Sequence, residues 1–94
     1  MRIVFLLEES SMEMFLEALL GRLFPNLIFK CVVYSGARDL EQSLTKVLKS
    51  WRVPGDRFVV VRDNDGGDCY ARKRRLVEKC GMAGRDDVLV RIVC

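Results

Sequence analysis

The residues with the most chemical promise stand together in Asp63-Asn64-Asp65-Gly66-Gly67-Asp68, three carboxylates within six positions. They follow Phe58-Val59-Val60-Val61 and Arg62, an apolar run of strand-forming residues with one cation at its end. Carboxylates this close repel one another, and folding them together is costly unless a cation sits among them. Asp63 and Asp65 lie two apart, so a chain still extended there turns both side chains to one face. Oxygen donors of this kind suit a hard divalent cation, Mg²⁺ or Mn²⁺. The same composition also makes an ordinary turn after a strand, with Asp68 capping whatever helix follows. What separates the two readings is whether a carboxylate from elsewhere in the chain reaches the same place.

The other groups able to do chemistry are few. The chain has no histidine, which removes the commonest general base and the commonest transition-metal ligand. Cys31, Cys69, Cys80 and Cys94 show no C-x-x-C spacing, so neither a disulfide framework nor a zinc site is indicated, and free thiols in a reducing cytoplasm are expected. Cys69 has no histidine to activate it and reads as structural. Glu8-Glu9 ends the first apolar run, Ile3 to Leu7, and supplies the second source of carboxylates. That run is too short for an export signal or a membrane span, so a cytoplasmic protein with no membrane partner is expected. The net charge of +3 is mild, but Arg72-Lys73-Arg74-Arg75 concentrates four cations. Four successive residues span more than a helical turn and cannot all face one ligand.

Elements that position these groups follow from periodicity. Ile3 to Leu7 suits a strand covered on both faces. A helix from about Met12 to Arg22 carries Phe15, Leu16, Leu19, Leu20 and Leu23 at helical spacing, with Ser10 or Ser11 as N-cap. Leu27 to Tyr34 reads as a second strand. Asp39 to Trp51 reads as a second helix, striped by Leu40, Leu44, Val47, Leu48 and Trp51, capped by Asp39 and with Glu41 near its start. Val53-Pro54-Gly55-Asp56 is a turn. Phe58 to Arg62 is the third strand, Asp68 or Cys69 to Lys79 the third helix, and Val88 to Val93 the fourth strand. Ninety-four residues make one domain, 1–94. The alternating order predicts an α/β fold, a three-layer α/β/α sandwich on a four-stranded, mainly parallel sheet with right-handed crossovers.

In such a sheet ligands bind beyond the carboxyl ends of the strands. Glu8 and the Asp63/Asp65 pair both lie at carboxyl ends, and they converge if the first and third strands are neighbours. Glu9 falls on the other side of the backbone if the strand persists and reads as a surface charge or a salt-bridge partner. Strand two ends in Tyr34-Ser35-Gly36, which offers nothing comparable.

With these residues the chain resembles the TOPRIM domain, shared by topoisomerases, bacterial-type primases and the nuclease part of overcoming-lysogenization-defect proteins. Leu7-Glu8-Glu9-Ser10-Ser11 stands where such families show Val-Glu-Gly-x-Thr, with Phe15-Leu16 matching the apolar helix positions that follow. Val61-Arg62-Asp63-Asn64-Asp65-Gly66-Gly67-Asp68-Cys69 stands where they show the aspartate pair. The likeness is closer to a small bacterial branch of TOPRIM-like proteins in which Arg-Asp-x-Asp-Gly-Gly-Asp-Cys and a later Val-Arg-Ile-x-Cys strand recur, the latter matched by Arg91-Ile92-Val93-Cys94. Glu9 replaces the usual glycine, Met12 stands where a second glutamate is common, and the resembling proteins continue past the position of Cys94. The resemblance therefore implies a version truncated at its C-terminus or one part of a longer chain.

The resemblance implies Mg²⁺-dependent cleavage or phosphoryl transfer on nucleic acid. Glu8 would be the general acid/base or a metal ligand, Asp63 and Asp65 the metal ligands, and Asp68 an outer ligand where it is not simply a helix cap. Arg62, Arg72, Lys73 and Arg75 would meet phosphate; Arg62 alternatively pairs with one of the acids. A non-catalytic TOPRIM-like subunit working beside a partner ATPase is the rival reading. Other motifs fit less well. A calcium loop counted from Asp63 would need glycine where Asp68 stands and glutamate where Arg74 stands. No P-loop Gly-Lys-Ser/Thr occurs. A haloacid-dehalogenase-type phosphatase places its Asp-x-Asp after the first strand and a hydroxyl residue where Gly67 sits.

Overall fold

Alternating apolar strands and amphipathic helices assemble as the sequence order suggests in the computed structural model, which describes residues 2–51, 53–63, 68–85 and 87–93, with the backbone alone for Asp63 and Val93. The elements are β1 (Arg2–Leu7), α1 (Ser10–Leu23), β2 (Phe29–Val33), α2 (Ala37–Ser50), β3 (Asp56–Asp63), α3 (Cys69–Met82) and β4 (Leu89–Val93). All strand pairs are parallel, in the order β2-β1-β3-β4. The first and third strands are therefore neighbours.

One face of the sheet holds the core. Val4 and Leu6 of β1, Phe58 and Val60 of β3 and Val90 of β4 pack against Leu40, Leu44 and Leu48 of α2 and Leu76 and Cys80 of α3. The three leucines recur every four residues, which is the stripe that makes α2 a helix with one committed face. Each such leucine contributes about 1.5–3 kcal/mol by leaving water. Among the described residues, α1 lies on the other face, over β1 and β2. There Phe5 meets Phe29 edge to face at 6.1 Å.

Several boundaries shift, and each shift has a local cause. α1 begins at Ser10, behind an extended Glu9 whose side chain makes no cap bond, so neither serine is the N-cap. α2 begins two residues early, behind Gly36 at φ 102°, a conformation that glycine alone adopts without strain. Asp39 then lies in the first turn, not at the cap, and its Oδ2 accepts the Ser35 backbone N–H at 2.9 Å. The Val53–Asp56 turn forms with Gly55 at φ 84°, and β3 starts directly after it.

The amino-terminal edge of the sheet is fastened by polar contacts. Arg2 donates to Asp56 twice, at 3.2 and 2.7 Å, joining the starts of β1 and β3. Trp51 Nε1–H donates to the same carboxylate at 3.0 Å. Arg85 donates to the carbonyls of Leu48 and Trp51, occupying acceptors that the end of α2 leaves open.

Cys31 and Cys80 are free thiols, as the sequence suggests. Cys69 is disulfide-bonded, which corrects the expectation of a free thiol there. Sequence spacing misled because a disulfide needs two Cα atoms within about 7 Å in space, and the fold, not the spacing, sets that distance. No helix among the described residues is long and apolar enough to cross a membrane.

Candidate functional site

The connection after β1 moves outward to β2, whereas those after β2 and β3 run the other way, so the order of the sheet reverses between β1 and β3. The crevice at such a reversal, beyond the carboxyl ends, is where open parallel sheets bind ligands. Leu7 is in register with Val33 on one side and with Val61 on the other. One step further along the strands, Tyr34, Glu8 and Arg62 come into line across β2, β1 and β3. The Tyr34 N–H donates to the Leu7 carbonyl at 2.9 Å and the Gly36 N–H to the Glu8 carbonyl at 2.8 Å, which fixes the strand ends.

Glu8 is buried, with 6% of its surface exposed. A carboxylate held at a strand end in so dry a place has a reason to be there, since burying charge is costly. β3 runs on to Asp63, whose Cα pairs with Val93 of β4. The backbone thus brings the Asp63 end of β3 beside the Glu8 end of β1. The side chain of Asp63 and all of Asp65 lie outside the described residues. Among the described residues no group of three or more potential metal ligands occurs.

Arg62 is as buried as Glu8. Its Nε lies 3.4 Å from Oε1 of Glu41, and the same oxygen accepts from Arg75 Nη2 at 2.7 Å. The Lys79 ammonium donates to the Glu41 carbonyl at 3.1 Å. Glu41 therefore ties α2 to β3 and α3, a role that its place near a helix start did not reveal. Asp68 caps α3, its Oδ1 accepting from the N–H groups of Tyr70 at 2.9 Å and Ala71 at 3.2 Å.

The basic run divides as helical geometry requires. Arg75 turns to Glu41, and Arg72 is half-buried, with an Nη1 that meets no hydrogen-bond partner among the described residues. Lys73 lines a groove of about 370 Å³ with Cys69, Tyr70, Val90, Arg91 and Ile92, between α3 and the edge strand. Tyr34, set aside on sequence, also belongs to this end of the sheet. Burial, with a smaller push from Asp39, raises its phenol above the usual range, and its hydroxyl meets no hydrogen-bond partner among the described residues.

A second hollow, of about 430 Å³, lies at the amino-terminal edge between Trp51, Pro54, Asp56, Arg57 and Arg85. Its charges are already engaged: Asp56 with Arg2, Arg57 with Asp87, and Arg85 with backbone carbonyls. It is a fastening, and the carboxyl edge remains the candidate site. Comparison with protein-family models, with curated proteins and with solved structures finds no match for this chain.

Proposed function

We propose that this chain is a Mg²⁺- or Mn²⁺-dependent phosphodiester-cleaving or phosphoryl-transfer domain of TOPRIM type that acts on nucleic acid in the cytoplasm. The observation that carries the reading is the meeting of two acidic strand ends, Glu8 of β1 and Asp63 of β3, at the point where the order of the sheet reverses. The donor set fits a hard cation, since carboxylate oxygens are what Mg²⁺ takes, one or two at a time with water completing the shell. Asp63 and Asp65 would hold the ion, and once bound it would offset charge on the phosphate. Glu8 would move the proton. Lys73, in the groove beside the edge strand, is the cation of the basic run placed to meet a phosphate backbone.

A second reading is supported by Glu41. By engaging Arg62 and Arg75 it occupies two of the four cations assigned to phosphate, which suits a binding subunit that works beside a partner ATPase. Calorimetric Mn²⁺ titration with a nucleic-acid cleavage assay separates the two. Metal binding lost in Asp63→Ala, with cleavage reduced about 10²- to 10⁴-fold in Glu8→Gln, is the expected result for the enzyme. Metal binding without turnover identifies the subunit, and a chain that binds neither ion overturns both.

A further inference from the structure

We infer, on the nucleic-acid reading above, that the groove between α3 and β4 holds an unpaired nucleotide beside the scissile phosphate, so that the substrate is a single strand. Strand pairing sets where the groove lies. Arg91 and Ile92 of β4 are in register with Val61 and Arg62 of β3, and the next pair is Val93 with Asp63. The groove, about 370 Å³, is lined by Val90, Arg91 and Ile92 on the strand side and by Tyr70 and Lys73 on the helix side. It stops one strand step, about 3.3 Å, short of the level of Asp63. A strand lying in it therefore runs on to the acidic strand ends.

Helical spacing decides what α3 presents there. Tyr70, Lys73 and Val77 stand three and then four residues apart and share a face. Tyr70 is 82% exposed and Val77 49%. Leu76 and Cys80 take the buried side of the same helix, so the core makes no use of this face. The Tyr70 backbone N–H is held by the Asp68 cap, which fixes the root of the side chain. Its ring meets no ring or hydrogen-bond partner among the described residues.

A lone exposed aromatic needs no explanation, but this one has cations beside it. Lys73 shares its helix face. Strand alternation turns Arg91 away from the core side that Val90 and Ile92 occupy. Because β4 is the outer strand of the sheet, Arg91 still borders the groove from that edge. Among the described residues neither Lys73 nor Arg91 forms a salt bridge, whereas Arg62 and Arg75 are tied to Glu41. No carboxylate stands among the described residues that line the groove.

A ring flanked by cations is the chemistry of single-strand binding: the base stacks on the ring and the cations meet the phosphates on either side. A duplex keeps its base faces within its own stack and would leave the ring unused. An acidic peptide would answer the cations and not the ring. The three strand residues span about 10 Å, room for one nucleotide and its flanking phosphates.

The test is a fluorescence-anisotropy titration of the native chain with labelled oligothymidylate, oligouridylate and the oligothymidylate–oligoadenylate duplex. EDTA is present, so that the result stands apart from the metal reading. A single strand, of either sugar, should bind about tenfold or more tighter than the duplex. Tyr70→Ala should weaken that binding about 5- to 150-fold, while Tyr70→Phe, which keeps the stacking face, stays within about twofold. Lys73→Gln and Arg91→Gln should each lower the slope of log K against log salt by about 0.7, and Tyr70→Ala should leave the slope alone. Thermal melting of Tyr70→Ala should match that of the native chain, since the ring is exposed. A duplex bound as tightly as the single strand, a Tyr70→Ala chain of unchanged affinity, salt slopes indifferent to both cation variants, or displacement of the strand by polyglutamate at equal charge would each overturn the inference. Those outcomes leave the Mn²⁺ titration of Asp63→Ala untouched, whereas binding of no oligonucleotide overturns the inference and the nucleic-acid reading together.

Discussion

Arg62 and Glu41 come from elements twenty-one positions apart, yet their side chains approach to 3.4 Å at 8% and 16% exposure. Arg62 sits next to the acidic loop, so whatever fixes its guanidinium also fixes the end of β3. Removing one partner from a mostly buried pair leaves the other in a dry place without that contact. Glu41→Ala is expected to destabilise the fold by about 1–3 kcal/mol in urea denaturation. Arg75→Ala, which removes a half-exposed partner of the same oxygen, should cost under about 1 kcal/mol. Equal losses for the two would mean that Glu41 is not the tie described.

Asp68 offers a separation of structural from metal-binding roles. Its Oδ1 accepts two backbone N–H bonds at the start of α3. Asn is as good an N-cap as Asp, so Asp68→Asn should keep stability while Asp68→Ala loses about 0.5–2 kcal/mol. A metal ligand behaves differently, because the charge matters to the ion. Thermal melts give the first comparison and Mn²⁺ affinity the second. Mn²⁺ affinity falling about tenfold or more in Asp68→Asn at unchanged stability would return Asp68 to the ligand set.

The neighbouring of β1 and β3 was only a condition of the site, which the sheet order meets. The strand and helix order and the Asp68 cap were legible because each rests on local pattern: alternation, helical spacing and an acid before a helix. Three features were not. Glu41 looked like a first-turn charge, since nothing local names a partner on β3. Cys69 looked like a free thiol for the same reason. The Phe15, Leu19 and Leu23 stripe predicted the helix but not its exposure, because periodicity says that a face is apolar and not what covers it. The acidic pair itself was the plainest signal in the sequence, and the structure brings its strand beside Glu8 without describing the carboxylates of Asp63 and Asp65.

At the opposite edge, Asp56 makes stability depend on pH. The hydrogen bonds from Arg2, and secondarily from Trp51, hold its carboxyl below the usual aspartate range despite burial acting the other way. A carboxyl more acidic in the folded chain than in the unfolded one stabilises the fold while ionised. That contribution is complete above the ordinary aspartate value of about 3.9, fades as the pH falls below it, and is gone under the depressed folded value. Urea titrations at falling pH should therefore show an acid limb that flattens in Asp56→Asn. An identical limb in the variant would assign the acid sensitivity to other carboxylates.

Cys31 provides a reactivity prediction that also checks where α1 lies. Burial, then the charges of Glu13 and Glu17, push its thiol up to about 11. The thiolate is the reacting form, so at neutral pH the thiol should alkylate about a hundredfold more slowly than a free cysteine of pKa near 8.5. Its rate should climb about tenfold per pH unit until the pH approaches that raised value. Glu13→Gln with Glu17→Gln should speed the reaction at fixed pH, while Glu78→Gln on α3 should leave it alone. Mass-spectrometric alkylation of the native chain, resolved by peptide, measures all of these. A Cys31 that reacts like a free thiol, or that ignores the α1 glutamates, would mean that α1 does not lean over β2.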